Sequence, residues 1–392
     1  MIDPQMAGDT NSISSGQPAA EHSSSTTASS TRPRPPPPYS TGMLTPTKPW
    51  SASAAHGFVG GNIPVEYGGG GRGLGELAVV EEECSAAGCP LLMLLVSPAI
   101  CGSIISRYGT AEQKEAWLPG LGSGREKMAF AITEPDAGSN SHRISTVATR
   151  HGEGWRLRGT KYYISGVDDA ARMLVVTRTG LDTRTGRGEL SLFVVDTDAP
   201  GLTRRHIPVE LLATERQFTL WFDDVEVGPD RLVGPEGGGL HPLFLGLNPE
   251  RVLSAALLNG IGRYALRHAA SYAREREVWG APIGTHQGIA HPLAQAAIDV
   301  ELARLMTTKA AWQYDAGEDA AEASNMAKFA AADAADAALN QAIQTHGGNG
   351  MATEFGLATL WGMTRLLKIA PVSREMILNF VSQHTLGLPR SY

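Results

Sequence analysis

The chain has 392 residues, 42% of them hydrophobic, and a formal net charge of −7. This length suggests two or three domains, and the apolar fraction is enough for a sizeable core. The acidic balance argues against a general nucleic-acid binder, which usually shows a basic face. No apolar run reaches the roughly 18 to 20 residues that a spanning helix needs, so we expect no membrane span.

Cysteine and histidine usage indicates the compartment and speaks against a metal site. Cys84, Cys89 and Cys101 are an odd, sparse set that makes no disulfide framework and fits a reducing cytoplasm. Cys84 and Cys89 lack the second pair that a zinc site needs, and the histidines are scattered. We therefore expect a cytoplasmic protein without a bound metal.

The first part of the chain divides into a tail and a helical domain. Residues 1–55 are rich in Ser, Thr and Pro, show no apolar period and are predicted to be disordered. Residues 56–125 are predicted to form a helical N-terminal domain. It contains an amphipathic segment at 74–87 and a capping box at 110–113, whose helix should end at Pro119.

The rest of the chain predicts a β domain followed by helices. Over residues 126–230 the apolar period shifts towards two, and Gly, Asp and Pro punctuate six strand candidates: 128–133, 155–157, 161–165, 173–178, 190–196 and 218–225. Short strands without long helices between them favour an antiparallel barrel or sandwich over a parallel sheet. Residues 231–392 contain four long Ala/Leu-rich segments whose lengths suit an antiparallel bundle: 253–275, 292–316, 320–345 and 353–384. The fold class is therefore α+β.

Two segments of the β domain offer hydroxyl and aromatic groups to a ligand. In 129–140 a strand ends in a turn where Thr133 and Ser139 can donate hydrogen bonds. In 159–166, Tyr163 and Ser165 alternate, so both side chains should leave one face of the strand and form a platform for a flat ring. Taken alone, each segment is also explained as an ordinary turn or a sheet-packing aromatic.

Two segments of the helical part suit a dinucleotide. Segment 274–287 offers Arg276 for a diphosphate and the amide of Gln287. Segment 344–350 places Gly347 and its neighbour after a long helix, where a backbone can lie close to a ligand. A solvated helix end and a glycine C-cap are the alternatives.

Together, in this order and spacing, the four segments resemble the acyl-CoA dehydrogenase family. The resemblance runs from about residues 63–69 to the C-terminus, and 132–139 and 344–350 are its most specific pieces. It implies N-terminal helices, here truncated, a middle antiparallel β-barrel or sandwich and a C-terminal four-helix bundle. It also implies bound FAD, an acyl-CoA or acyl-carrier thioester as substrate in fatty acid metabolism, an electron-transfer flavoprotein as partner, and a homo-oligomer, a dimer or tetramer.

Roles follow from the resemblance position by position. The residues that would contact the flavin part of the cofactor are Thr133, Tyr163 and Ser165, and Ser373 would also bind the cofactor. The adenine-diphosphate part would be held, in part across a subunit boundary, by Arg276, Trp279, Gln287, Gln344, Gly347 and Gly348. Ser139 would lie near the pantetheine arm, and Arg251 would help place the acyl-CoA.

The same resemblance assigns the catalytic base. The family reaction removes the α-proton of an acyl thioester while the β-hydride passes to flavin N5, so a carboxylate must face the flavin across the substrate. Many members carry this Glu in a Tyr-Glu-Gly-Thr turn, for which this chain has Ala370-Pro371-Val372-Ser373. Isovaleryl-type members place it before an Arg on a bundle helix, as Glu250 stands before Arg251 here. Glu250 is therefore assigned as the base; an ordinary helix-start role for Glu250, and Glu375 as the base, are the alternatives.

Pro371 departs from the family pattern. The backbone N–H at this position helps to polarise the thioester carbonyl in the family, and proline has no N–H. Either a neighbouring amide substitutes, the alignment is off by one, or the reaction differs. A flavin monooxygenase or an enoyl-thioester reductase is accordingly an alternative function. The Ser/Pro-rich tail stands where the family has two further helices, so an inactive truncated remnant is the third alternative.

Overall fold

The first part of the chain is helical. The structure, a computed structural model, describes residues 47–210 and 215–390. Its first helices are α1 (Thr47–Ala55), α2 (Leu74–Ala86), α3 (Leu92–Leu94), a π-helix (Leu95–Gly102), α4 (Ser103–Tyr108) and α5 (Ala111–Gly122). The predicted capping box begins α5, since the Gln113 N–H donates to Thr110 Oγ1 at 3.3 Å and the Thr110 N–H donates to Gln113 Oε1 at 3.0 Å. The expected end at Pro119 is wrong, because burial of Trp117 and Leu121 outweighs one missing N–H.

The expectation of disorder up to residue 55 is also wrong in its last part. Residues 1–46 lie outside the described residues, but 47–55 form α1. Trp50 is buried, its Nε1 donates to the Gly124 carbonyl at 2.8 Å, and the Lys127 ammonium lies 4.8 Å from its ring centroid. A single aromatic anchor thus orders a segment whose Ser/Ala/Pro composition resembles that of the tail.

The middle of the chain forms one mixed sheet. Its strands are β1 (Met128–Ala131), β2 (Val147–His151), β3 (Gly154–Ser165), β4 (Arg172–Leu181), β5 (Gly188–Asp196), β6 (Leu202–Ile207), β7 (Gln217–Val227) and β8 (Leu232–Val233). Within the described residues the order is β6-β7-β3-β2-β4-β5-β8, with β1 paired to β4. Most pairings are antiparallel, as predicted, but β1 and β2 each run parallel to β4, which the long connections between them permit.

Two details of the sheet differ from the sequence-based strands. The candidates 155–157 and 161–165 are parts of one strand, β3. Neither β2 nor β6 was predicted, because both carry polar and basic residues and lack a full apolar alternation; four successive residues of β6 are exposed.

The last part of the chain is helical. It contains α6 (Leu240–Glu275), a short hairpin of β9 (Glu277–Val278) and β10 (Ala281–Pro282), α7 (Gln287–Asp315), α8 (Ala321–His346), α9 (Trp361–Ile369), α10 (Arg374–Phe380) and a π-helix (Val381–Thr385). The prediction of one long helix over 353–384 is wrong. Two 3-10 turns precede α9, and the chain breaks at the cis Ala370–Pro371 bond before α10, since proline cannot continue a helix and restricts the residue before it.

Helix α6 is the central element of the helical part. From Val252 to Ile261 its apolar side chains are almost fully buried, and it packs against α2, α7 and α8. The approach of α2 requires Gly260, because a Cβ there would lie 2.4 Å from the Glu82 carbonyl oxygen. The position of Glu250 on this helix is thereby fixed by packing on several sides.

A buried ion pair joins the turn after β1 to strand β3. Lys161 Nζ lies 2.9 Å from Glu134 Oε1, with side-chain exposures of 0% and 2%. The ammonium also donates to the Ile132 carbonyl at 2.9 Å, and the carboxylate accepts the backbone N–H groups of Ser145 and Thr146. Burial alone would raise the pKa of Glu134, but the Lys161 charge and these hydrogen bonds outweigh it and lower the pKa to about 2.

Removing one partner of the Glu134–Lys161 pair is expected to lower the free energy of unfolding strongly, because the other partner stays charged in the interior. Lys161→Met leaves a buried carboxylate without its cation, which costs about 3–5 kcal/mol in the free energy of unfolding. Adding Glu134→Leu should recover part of that loss. Urea unfolding of Lys161→Met, Glu134→Leu and the double variant measures these losses and their additivity.

The exposed pair Arg150–Glu236 provides the control, since its side chains are 58% and 41% exposed. Arg150→Met should change the free energy of unfolding by about 1 kcal/mol or less. Strictly additive losses at residues 134 and 161 would show that the buried pair is not coupled.

Candidate functional site

The residues predicted to contact a flat ring lie around a β-bulge. The Tyr162 N–H donates to the Thr133 carbonyl at 2.8 Å, which brings the end of β1 to β3. The register of β3 against β7 shifts between Lys161 and Ile164, so Tyr162 and Tyr163 together oppose one residue. Tyr163 has φ +55° and is 52% exposed. A bulge re-aims a side chain, and this one presents an aromatic ring outside the sheet, which the simple alternation argument did not include.

Ser165 lies at the end of the sheet where a groove opens between the β domain and the helices. Ser165 Oγ and the Gln217 side chain are hydrogen-bonded, and Gln217 pairs in turn with Ile207 of β6. Just beyond that strand end lies a groove of about 790 Å³ between the β domain and the helices. Its walls are formed by Val209, Glu210, Asp336, Asn340, Ala358, Thr359, Trp361, Gly362 and Arg365. This volume is in the range of small-molecule sites, although Thr133, Tyr163 and Ser165 are not in its described walls.

Glu250 and Arg251 lie together on α6. Arg251 is buried, and its Nη1 donates to Asn248 Oδ1 at 2.9 Å. Glu250 keeps some exposure as a residue, but its Oε2 atom is buried and accepts no hydrogen bond from the described part of the chain. Burial raises the pKa of Glu250 to about 7, against the opposing charges of Arg251 and Lys328. A carboxyl of this kind changes protonation near neutral pH, which suits a general base.

The surroundings of Glu250 come from three other elements. Cys101 of the first π-helix lies close enough for the Glu250 charge to add to the effect of burial, and both raise the pKa of its thiol. Cys101 Sγ donates to the Ala129 carbonyl of β1 at 3.5 Å. On the other side, Lys328 of α8 is buried and donates from Nζ to the Val372 carbonyl at 2.6 Å.

The turn 370–373 has the shape expected of a helix start. Ser373 Oγ accepts the Met376 N–H at 3.3 Å and caps α10, so this hydroxyl has a structural partner within the chain. Glu375, the alternative base, is exposed in the first turn of α10. Ser139 is exposed on the turn that follows β1, as is the backbone of Gly138 beside it.

The six residues predicted for the adenine-diphosphate part lie at one end of the helical domain. All are exposed: Arg276, Trp279, Gln287, Gln344, Gly347 and Gly348. The ends of α6 and α8 meet there, since Tyr272 stacks on His346 at 4.3 Å between centroids and accepts a hydrogen bond from Asn349 at 3.1 Å. With a rise of 1.5 Å per residue, Arg276 lies about 40 Å along α6 from Glu250. Within one chain, the structure does not bring these residues to Glu250.

Sequence reasoning missed Lys328, Lys161 and Glu134. The available signal for Lys328 was a lysine on the apolar face of an Ala-rich helix, between buried Ala327 and Ala331. Lys161 and Glu134 both stood inside segments singled out for other residues. Their pairing depends on strand contacts that no local pattern contains.

The described residues contain neither a candidate membrane span nor a candidate metal cluster. No helix among them is long and apolar enough to cross a bilayer. No cluster of three or more His, Cys, Asp or Glu side chains with metal-binding geometry occurs in the same ranges.

Comparison with known proteins gives matches along nearly the whole chain. Models of the N-terminal, middle and C-terminal domains of acyl-CoA dehydrogenases match residues 32–125, 129–225 and 237–386. The acyl-CoA dehydrogenase FadE12 of Mycobacterium tuberculosis is 55% identical over 345 residues, which are 88% of this chain and 89% of that protein.

Solved structures agree with the sequence matches. Glutaryl-coenzyme A dehydrogenase in complex with glutaryl-CoA superimposes with a TM-score of 0.81 at 30% identity and covers 87% of each chain. An FAD complex of PigA gives a TM-score of 0.81 at 27% identity, covering 86% of this chain and 89% of that one. The predicted arrangement of N-terminal helices, middle β domain and C-terminal helical domain is thereby confirmed, and the chain belongs to the acyl-CoA dehydrogenase family.

Proposed function

We propose that this protein is an FAD-dependent acyl-CoA dehydrogenase in which Glu250 removes the α-proton of an acyl thioester. The observation that carries this proposal is the Glu250 carboxyl, whose Oε2 is buried without a hydrogen-bond partner among the described residues. The names of FadE12 and of glutaryl-CoA dehydrogenase support an acyl-CoA as the substrate. An electron-transfer flavoprotein is the proposed electron acceptor.

The donor set of this chain fits FAD. Tyr163 offers an exposed aromatic face on its bulge, and Thr133 and Ser165 add hydroxyl groups beside it. At Gly347 and Gly348 a Cβ would meet no described atom within 4 Å, so a ligand can approach that backbone closely. When bound, FAD supplies the acceptor for the β-hydride. The FAD complex of the related PigA supports this assignment.

The chemistry of Glu250 follows from its surroundings. Because Oε2 accepts no hydrogen bond from the described residues, its lone pairs are available for the α-proton of a substrate. Its pKa of about 7 leaves a substantial fraction ionised at neutral pH and makes the carboxylate a stronger base than an exposed one. Arg251, buried at the next position, supplies a fixed positive charge that stabilises the ionised form. Glu375 is exposed and lacks this environment.

The separation along α6 supports a shared cofactor site. In a single chain, Arg276 of the proposed adenine-diphosphate group lies about 40 Å along α6 from Glu250, the proposed base that must face the flavin. Helix α7 also exposes one apolar face, with Ile298, Leu302, Leu305 and Trp312 each 56–62% exposed. An exposed stripe of this kind marks an interaction surface. We propose that a second copy covers it and completes each FAD site.

Glu250→Gln is expected to abolish reduction of the flavin while FAD stays bound. The amide keeps the shape of the side chain but cannot take a proton, so the rate should fall about 10²- to 10⁴-fold. Stopped-flow bleaching of the yellow protein by acyl-CoA substrates of graded length, without oxygen, measures this rate. Glu375→Gln is the control and should bleach as the wild type does. Unchanged bleaching in Glu250→Gln would rule out this base.

Charges on the α7 stripe are expected to separate the copies. The double variant Leu302→Asp/Leu305→Asp places carboxylates in the proposed contact, so its mass by light scattering should fall and FAD should be lost on gel filtration. Leu181→Asp, on an exposed residue of β4, is the matched control and should leave both unchanged. An oligomer that survives the double variant would show that the stripe is not the interface.

A further inference from the structure

We propose that Lys328 is a positioning residue for this reaction, which fixes the 370–373 turn beside Glu250 and keeps the Glu250 carboxyl charged. The inference rests on the proposed function, because it concerns the base assigned there. Lys328 is not offered as a group that touches the substrate. Its role is electrostatic and geometric, through the turn and through Glu250.

The burial of Lys328 requires an explanation. The residue is 1% exposed, and its neighbours Ala327, Ala331 and Ala332 on α8 are also buried. An ammonium in such a wall is costly unless it is paired. Its hydrogen bond within the described residues runs from Nζ to the Val372 carbonyl at 2.6 Å, which ties α8 to the turn between α9 and α10. An ammonium has three N–H donors, so one backbone carbonyl does not use its full capacity.

The charges around Lys328 show which acid its ammonium influences most directly. The groups that act on it electrostatically are Glu250, Arg251, Glu375 and Asp333. Asp333 already pairs with Arg374 and Lys368, and Glu375 is exposed, where water screens its charge. Glu250 is the remaining acid, with a buried oxygen that has no hydrogen-bond partner in the described chain. The two groups therefore act on each other through a poorly screened interior.

The groups that act on Glu250 come from the elements packed around it. Arg251 of its own helix and Lys328 of α8 both lower its pKa, while burial raises it. Cys101 of the π-helix is a thiol whose pKa is raised, so it is neutral and adds no compensating charge. The ionised form of Glu250 therefore depends on two cations, one of which is also fixed to the 370–373 turn.

Pro371 adds to the importance of the hydrogen bond between Lys328 and the Val372 carbonyl. Proline has no N–H, so the turn lacks a backbone donor at that position. Lys328 holds the turn one residue later, at the Val372 carbonyl, and its ammonium lies at the same place. In surroundings of low polarity, that ammonium acts more strongly on Glu250 than it would in water.

Removal of Lys328 is expected to raise the pKa of Glu250. Lys328 as a cation lowers the pKa of Glu250, so its removal raises that pKa. The base is then protonated to a higher pH, and the rate at neutral pH falls although the rate at alkaline pH recovers. One pKa unit corresponds to about a tenfold loss on the acidic side of the profile. A purely structural loss would lower the rate at every pH instead.

The test is the pH profile of anaerobic flavin bleaching in Lys328→Met and Lys328→Gln, with the wild type alongside. The acid limb should move upwards by about one unit in both variants, which lowers the rate near pH 6.5 about tenfold. Lys328→Arg should retain most of the wild-type profile. The matched control is Lys368→Met, which removes a nearby lysine that pairs with Asp333 and Asp336. An unmoved acid limb in the Lys328 variants, or an equal shift in Lys368→Met, would overturn the proposal.

A second readout separates this inference from the proposed function. Infrared titration of the carboxyl band, assigned by its loss in Glu250→Gln, measures the protonation of Glu250 without turnover. Lys328→Met should shift this titration to higher pH even if no acyl-CoA bleaches the wild type. In that case the dehydrogenase proposal fails while the Lys328–Glu250 coupling stands. An unshifted band would reject the coupling itself.

Discussion

The structure depends on one balance, the burial of the Glu250 carboxyl against the positive charges of Arg251 and Lys328. Burial alone would keep this group protonated, and two cations alone would make it a weak base. Their opposition brings the pKa to about 7. Helix α6 packs against α2, α7 and α8, which holds Glu250 and Arg251 in place, and Lys328 is itself buried on α8.

Three buried carboxyls show how nearby cations and hydrogen bonds together set the pKa of such a group. Glu134 has Lys161 and several donors, and its pKa falls to about 2, which makes it a permanent structural charge. Glu81 is fully buried, with hydrogen bonds to one of its two oxygens, and its pKa rises to about 8. Glu250 lies between these cases, with two cations nearby and Oε2 left without a partner in the described residues. An incompletely satisfied carboxyl is unfavourable for stability but suits proton transfer.

The two parts of α6 contribute to different parts of the proposed site. Near its start, the helix carries the proposed base beside the β domain and the 370–373 turn. Near its end, it carries an exposed, glycine-bordered surface whose residues suit the other half of a dinucleotide. Helix α6 keeps these surfaces about 40 Å apart, which is why the proposed FAD site draws on a second chain. The apolar face of α7 is consistent with that arrangement.

The sequence by itself determined the class of elements, their order and the motifs that carry the family resemblance, because amphipathic spacing, capping and glycine positions are local properties. It placed Glu250 next to Arg251 and drew attention to the missing N–H of Pro371, but it predicted one helix over 353–384 and so did not locate the break there. Only the tertiary structure decided the β3 bulge at Tyr163, the anchoring of α1 by Trp50 and the two parallel pairings of the sheet. It also brought Lys328 to the Val372 carbonyl, and Glu134 to Lys161 across the fold. These features arise from contacts between residues that are distant in the chain, and both desolvation and charge pairing depend on what surrounds a group in space rather than on its neighbours in sequence.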